Sequence, residues 1–474
     1  MTAFELLDRR FKESRDDILF LAADGRTLTY GQALATAKRI AFAWKEQGAR
    51  KGDAIALVLM NDIGFPCSFL ACMLGGFVAA PVNPELGAEN VEFILDLVRP
   101  ALVVDTPPAI EEGGSTSSDF DVVADLDACG AIFFTSGTTG RPKGVRHRWS
   151  ALVGNVAAFN DAMALGSGTR MYHVLPMAYM AGFLNTVLSP MVAGGTVIIG
   201  PRFSASSALE FWTRPVRERA NTIWVTPSIA AALTRLVRDR TAARVSATSF
   251  ETVFCGTAPL HPSVRHQFNE VFGIKLQESY GTSELLLVSA QTRRQAERMT
   301  EDVGEPLPEL ALAFRRDAEG RDELIIRSPF AMIDYLTENG LETIADAEGF
   351  VPTGDMGRLD RGILQITGRI KDLIIRGGVN IVPRTVEDVV RDVAGVEDVA
   401  VVGMPHEFWG EALVVCIQVN PEAVAEQVEI AVRQRCRERL ARSHQPDRIV
   451  MMPTFPRAAT GKVQKHLVKR SLEE

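Results

Sequence analysis

The stretch 134-FTSGTTGRPKGV-145 carries four hydroxyls, three glycines and two cations in twelve residues. Few of these side chains can fill a core. What they offer instead is backbone N–H groups left open by glycine, short hydroxyl donors and the ammonium of Lys143. That set suits a chain of phosphates. The spacing Gly137-x-x-Gly140-x-x-Lys143-Gly144 differs from the GxxxxGK[ST] of a P-loop. An apolar strand is expected just before it, over 131–134, and a helix after it. A flexible glycine-rich turn is the plainer alternative, but it does not account for so many phosphate-suited groups behind a strand.

Four more segments follow in order: 280-YGTSE-284, 353-TGD-355, 368-GRIKDLIIRGGVNIVP-383 and 460-TGKVQK-465. With 136-SGTTGRPKGV-145, they resemble the signature motifs of the adenylate-forming superfamily. That superfamily includes acyl- and aryl-CoA ligases, carrier-protein adenylation domains and firefly luciferase. The likeness runs from 28-LTYGQ-32 to Lys465. The chain looks most like a free-standing acyl- or aryl-CoA ligase.

The chemistry of such a ligase explains the residue types. A carboxylate is a poor acyl donor because its leaving group would be oxide. Attack on the α-phosphorus of ATP gives an acyl-adenylate and pyrophosphate, and AMP is then a good leaving group. Catalysis of this kind rests on positioning and charge neutralisation. The resemblance implies that Thr135, Ser136, Gly137, Thr138, Thr139, Gly140 and Lys143 cradle the β- and γ-phosphates. It places Tyr280 on the adenine, flanked by backbone from Gly256, Thr257 and Ala258. Glu278, Ser279, Gly281 and Thr282 complete the nucleotide site. Ser283 stands where threonine is usual and reaches the α-phosphate. Glu284 takes Mg2+, a role that suits a carboxylate. Asp355 accepts from the ribose hydroxyls and Arg369 supports ribose and phosphates. Lys462 bridges the attacking carboxylate and the α-phosphate, work that suits a flexible ammonium. Read without the resemblance, Asp355 is a turn aspartate, Glu284 a surface carboxylate, Tyr280 a core aromatic and Lys462 one cation of a basic C-terminus.

The resemblance also implies two half-reactions. The Lys462 segment serves adenylation, and the segment Arg376-Gly377-Gly378 serves acyl transfer. A large rotation between them needs a few junction residues to absorb it. Asp360, before Arg361-Gly362, fits that hinge. The expected domains are 1–359, binding ATP and acid, and 360–474, mobile.

The acid and the acceptor are less marked. In 175-LPMAYMAGF-183, Tyr179 stands where relatives often have histidine. It keeps an aromatic wall but no basic nitrogen. Met180 stands where amino-acid-activating relatives have aspartate, which argues against α-amino acids. Tyr179, Met180, Phe183, Cys255 and Thr282 suggest an apolar lining and a fatty or aromatic monocarboxylate. His173 is read as structural. Thr385 replaces a common glutamate in the acceptor-presenting domain. Coenzyme A is the expected acceptor. An amine, giving an amide, and a separate carrier protein are the alternatives. A non-catalytic nucleotide-binding protein would be expected to lack Lys462, Asp355 or Glu284, and all three are present. A luciferase-like oxygenase would show itself by light emission.

These residues need a scaffold that alternates strand and helix. A helix is expected over 31–47 with Gly48 as its stop, a strand over 54–60, and a buried helix running into a strand over 69–82. Strand-then-helix patterns recur at 131–135 with a helix after Ser150, and at 222–227 with a helix over 228–239. Strands separated by helices indicate parallel sheets. The expected fold is therefore α/β: a large N-terminal domain with parallel-rich sheets and a small β-barrel-like part, plus a small α+β C-terminal domain. A polar junction is expected over 353–362 and a mobile surface loop over 111–119.

Composition narrows the class. Of 474 residues, 46% are apolar and 23% charged, as in ordinary globular proteins. The net charge of −8 argues against duplex nucleic acid as a partner. The six cysteines form no CxxC and no zinc spacing, so reduced thiols in a cytoplasmic protein are expected. The N-terminus is too polar for a secretory signal. No apolar run is long enough to span a membrane.

Overall fold

The computed structural model describes the chain except residues 1–2, 111–124, 137–140, 202, 209, 238, 240–243, 245–247, 318–319, 459–460 and 474. The expected loop over 111–119 and the phosphate-loop residues Gly137, Thr138, Thr139 and Gly140 lie outside the described residues. The chain packs into two compact units. One holds Met1–Leu260, Val264–Ala311 and Ile326–Val351, and the other holds His261–Ser263, Leu312–Ile325 and Pro352–Glu474. Among the described residues, no helix is long and apolar enough to cross a membrane.

In the first unit the helix Tyr30–Glu46 starts at a capping box, with the Thr29 and Gln32 side chains each accepting from the other's backbone N–H. It buries Ala33, Ala37, Ile40, Ala41 and Trp44, and Gly48 lies just beyond its end at φ 99°. The helix Gly64–Gly75 is apolar on every side and all twelve residues are buried. Gly76, at φ 71°, turns it into the strand Val78–Pro81.

Two sheets carry this unit. The larger has nine strands, ordered Glu305–Pro306, Leu286–Ala290, Gln277–Thr282, Thr252–Cys255, Thr222–Val225, Arg170–His173, Thr196–Ile199, Ile18–Leu21 and Thr27–Thr29. Its middle is parallel from Gln277–Thr282 to Ile18–Leu21, and both edges are antiparallel. The second sheet has seven strands. Leu102–Val104, Ala54–Leu57, Val78–Pro81 and Cys129–Ser136 pair in parallel. Pro142–Arg148, Tyr335–Thr337 and Gly340–Glu342 extend it antiparallel.

This last arrangement adds an element that the sequence did not mark. The strand Pro142–Arg148 stands between the phosphate segment and the helix expected after Ser150, which runs Trp149–Met163. Thr135 sits opposite Lys143 and Ser136 opposite Pro142. Gly144 lets the second strand lie against Ile132; a Cβ there would stand 2.7 Å from the Ile132 side chain. The strands on either side of residues 137–140 therefore pair antiparallel, and the next helix begins only at Trp149.

The second unit has a four-stranded sheet ordered Ala311–Arg316, Asp322–Arg327, Val351–Asp360 and Ile363–Arg369. The polar segment 353–362 is thus not an irregular junction but mostly strand. Arg361 at φ 50° and Gly362 at φ 83° make its two-residue turn, the backbone signature of a tight hairpin. Few of its side chains are buried, so period-two alternation does not show in the sequence. A five-stranded sheet follows, built on the long antiparallel pair Val396–His406 and Gly410–Val419. The helices Pro383–Arg391 and Ala425–Arg439 bury Val386, Val390, Val428, Val432 and Cys436 in the core that also holds Ile374, Val401 and Val415.

One buried ion pair anchors the nucleotide end of the large sheet. Arg265, 1% exposed, pairs with Glu278, 4% exposed, and also donates to Leu276 O at 3.2 Å and Gln291 Oε1 at 3.1 Å. Arg265→Met should leave the carboxylate buried without its cation and cost ~3 kcal/mol. The double variant Arg265→Met/Glu278→Gln should cost less than that single one. Denaturant midpoints of the three proteins check both statements.

Candidate active site

The parallel strands Thr252–Cys255 and Gln277–Thr282 end side by side, and ligands in α/β sheets bind beyond such carboxyl ends. Beyond the first strand come Gly256, Thr257 and Ala258. A Cβ on Gly256 would stand 2.3 Å from Ser279 Oγ, so only glycine lets the two segments lie this close. Thr257 is exposed and held at φ 73°, a costly conformation for a β-branched residue and one that clusters at functional sites. Glu278 Oε1 accepts from Leu260 N at 3.1 Å while its other oxygen meets Arg265. Its carboxylate thus clamps the 256–260 loop from below. Ser279 Oγ donates to Cys255 O at 3.2 Å.

Tyr280 and Thr282 are half-buried and Gly281 is exposed beside them. Thr282 Oγ1 accepts from Leu285 N at 3.1 Å. The carbonyl of Ser283 accepts from His147 Nε2 at 2.7 Å, so the ring proton sits on that nitrogen. Burial pushes the His147 pKa down to about 4, so the ring is a neutral brace. Glu284 Oε1 accepts from the Tyr335 hydroxyl at 2.6 Å, and Glu284 O accepts from Met332 N at 2.8 Å. Burial, and then the Glu284 charge, push the Tyr335 hydroxyl pKa up, so it stays a donor. Lys143 Nζ lies 5.3 Å from the centre of the Tyr335 ring and 3.7 Å from Glu342. Lys143, Glu284 and Tyr335 are therefore neighbours. Tyr335 and Glu342 escape the sequence reading because they sit on a hairpin some two hundred residues from the phosphate segment.

A magnesium ion fits this chemistry. Mg2+ uses one or two carboxylates together with substrate phosphates and water. Glu284 offers such a carboxylate, oriented by Tyr335. No group of three His, Cys, Asp or Glu side chains among the described residues could hold a metal by itself.

The second unit gathers another group. Asp355 and Arg369 face each other across adjacent strands, Arg369 Nε 2.8 Å from Asp355 Oδ1. Asp355 is 1% exposed. Lys462 lies on a tight turn: Ala458 N donates to Lys462 O at 2.8 Å, and Gly461 takes φ 82°. Burial and the nearby Arg369 lower the Lys462 pKa from the ordinary 10.5 to about 8, with Asp372 and Asp355 partly opposing them. Asp355, Arg369 and Lys462 thus form one electrostatic cluster. Arg376 donates to Ser443 O at 2.8 Å and Gln445 O at 2.9 Å, and pairs with Asp447. Its guanidinium holds the 443–447 segment. Gly377 and Gly378 both take positive φ, and Gly377 N donates to Trp409 O. Asp360 ends its strand at the Arg361-Gly362 turn.

Of the acid-lining candidates, Tyr179 and Met180 are half-buried, and Tyr179 accepts from Asn83 Nδ2 at 3.3 Å. Phe183 is 2% exposed and stacks on Phe69 at 3.7 Å between centroids, with Phe65 and Phe133 nearby. Cys255 is fully buried. These two stand in the core behind the segment rather than on an open wall.

The chain matches the family of AMP-binding enzymes over residues 7–336 and the AMP-binding enzyme C-terminal domain over 385–462. It is 30% identical to the long-chain-fatty-acid–CoA ligase FadD13 of Mycobacterium tuberculosis, over 93% of this chain and 92% of that one. Its fold is that of ATP-bound MatB from Rhodopseudomonas palustris, with a TM-score of 0.89 at 23% identity over 100% and 99% of the two chains. It is equally that of the amide bond synthetase McbA from Marinactinospora thermotolerans, with a TM-score of 0.84 at 24% identity over the full length of both chains. The chain belongs to the AMP-binding enzymes, and it is a ligase of the adenylate-forming superfamily.

Proposed function

We propose that the protein activates a fatty or aromatic monocarboxylate as its acyl-adenylate and passes the acyl group to coenzyme A. The observation that carries this reading is the cluster of Asp355, Arg369 and Lys462, where a buried carboxylate, a guanidinium and an ammonium of lowered pKa meet. In the first step a carboxylate oxygen bonds to the α-phosphorus of ATP, and the bond to the bridging oxygen breaks. Pyrophosphate leaves with that electron pair. Lys462 neutralises the charge gathered between acid and α-phosphate. Asp355 accepts from the ribose hydroxyls, while Arg369 steadies Asp355 and the phosphates. Thr135, Ser136, Gly137, Thr138, Thr139, Gly140 and Lys143 hold the departing pyrophosphate, Ser283 donates to the α-phosphate, and Tyr280 stacks on adenine. Glu284 would hold a magnesium ion, which would supply charge neutralisation at the phosphates. In the second step the thiol sulfur bonds to the acyl carbon. AMP leaves with the acyl–oxygen electron pair, and the thiol proton passes to solvent. We place the hinge between the two steps at Asp360, with residues 1–359 on one side and 360–474 on the other. Arg376, Gly377 and Gly378 serve the second step.

For the acid, Met180 in place of a carboxylate, packed against the apolar core, supports a monocarboxylate without an amino group. The relative FadD13, named for long-chain fatty acids, points the same way. An amine acceptor is the second reading. The likeness to an amide bond synthetase and the exposed Thr385 at a position of frequent glutamate favour it.

Pyrophosphate release with Mg-ATP over fatty, aromatic and amino acids, with and without coenzyme A, tests the whole reading. Acid-dependent release that rises with coenzyme A and gives an acyl-CoA mass is expected. Acyl-adenylate without thioester would move the assignment to the amine or a carrier protein. Lys462→Ala should lower adenylation by about 10²-fold or more, yet leave transfer from supplied acyl-adenylate near wild type. Equal loss of both would overturn the division of labour. Because the ammonium is the working form, kcat/KM for adenylation should be full below about pH 8 and fall as pH rises through that value. Lys462→Arg, permanently charged, should flatten that limb. Asp360→Pro should slow transfer more than adenylation, since proline fixes φ at the turn; unchanged rates in both steps would exclude this hinge.

A further inference from the structure

A polar chain, half-buried at Asn61 and buried at His173 and Thr186, joins the two sheets of the first unit, and none of its members has a part in the reaction described above. Asn61 follows the strand Ala54–Leu57 of one sheet, and His173 ends the strand Arg170–His173 of the other. Asn61 Nδ2 lies 3.0 Å from His173 Nε2 and 2.8 Å from Leu175 O, and its Oδ1 accepts from Met177 N at 2.9 Å. One amide therefore holds residues 173, 175 and 177. On the far side of the ring, His173 Nδ1 lies 2.6 Å from Thr186 Oγ1, which donates to Gly182 O at 2.6 Å.

The proton positions follow from the ends inward. Leu175 O and Met177 N orient the Asn61 amide, so its nitrogen donates and His173 Nε2 accepts. Nδ1 then carries the ring proton and donates to Thr186, whose own proton goes to Gly182 O. His173 and Thr186 are both 0% exposed, and burial pushes the His173 pKa down to about 3. The ring is neutral and both its nitrogens are engaged, which leaves it nothing to do in proton transfer. It is a spacer of fixed length.

What the spacer holds is the acid-facing turn. Gly182 and Thr186 belong to the π-helix Ala181–Leu188, at whose end Ser189 N bonds back to Leu184 O. Such wide turns recur at functional sites. Gly182 lies against Pro176; a Cβ would stand 1.8 Å from Pro176 O. Tyr179 and Met180 therefore sit between two anchored points, Met177 on Asn61 and Gly182 on Thr186. We propose that Asn61, His173 and Thr186 are positioning residues that fix Tyr179 and Met180 and thereby set which acids are accepted. This rests on reading 175–183 as the acid's seat.

The test uses Thr186→Val, which removes the hydroxyl at constant size, Thr186→Ser, which restores it, and Asn61→Leu. His173→Gln can accept from Asn61 and donate to Thr186. Tyr179→Ala runs in parallel as the probe of the seat itself. Thr186→Val and Asn61→Leu should raise KM for the acid about tenfold and shrink the kcat/KM ratio between the best acid and an analogue one carbon longer. ATP binding without acid should stay within about twofold. Thr186→Ser and His173→Gln, which keep the hydrogen bonds, should hold the acid KM close to the wild-type value. If Thr186→Val and Asn61→Leu lower the melting temperature but leave acid KM and selectivity unchanged while Tyr179→Ala alters them, the network is only structural and the inference fails. If Tyr179→Ala also leaves them unchanged, the seat has been misplaced, and the inference falls with it.

Discussion

A carboxylate buried to 4% exposure beneath parallel strands is tolerable only with a cation beside it, and Arg265 supplies that cation to Glu278. The same carboxylate accepts from Leu260 N, which pins the loop leaving one strand to the strand beside it. The close approach of Gly256 to Ser279 and the positive φ of Thr257 depend on that clamp. The segment from Tyr280 to Glu284 continues from the strand that carries Glu278, whose own charge is compensated within the scaffold.

Three cations singled out by the sequence motifs share one property. Lys143 stands near Glu342, Arg369 holds Asp355 and Arg376 holds Asp447. Each has a carboxylate of this chain beside it, which restricts its side chain. Lys462 differs. Burial and the neighbouring Arg369 both disfavour its charged form. An ammonium of that kind gains most when an anion appears beside it, as in the transient arrangement of a carboxylate approaching a phosphate.

Much of the architecture could be read from the chain. The helix Tyr30–Glu46 has its capping residues and apolar face in plain sequence, and Gly64–Gly75 is too apolar to be anything but buried. Two elements misled for opposite reasons. The strand Pro142–Arg148 is rich in cations and begins with proline, so nothing local marks it as a strand; its partner Cys129–Ser136 makes it one. The segment 351–360 is polar because its small sheet buries few of its side chains, and alternation fades where there is little to bury.

The family is legible in the chain, because its glycine- and hydroxyl-rich segment, its turn aspartates and the Lys462 segment are local patterns of residue type and spacing. The partners of these residues are set by packing. Tyr335 on Glu284, Arg265 beneath Glu278, and Asn61 and Thr186 on either side of His173 are contacts between residues far apart in the chain or on different elements. Hydrogen bonds and ion pairs act over a few ångströms, and which groups come that close is set by how sheets and helices pack, which no local pattern records.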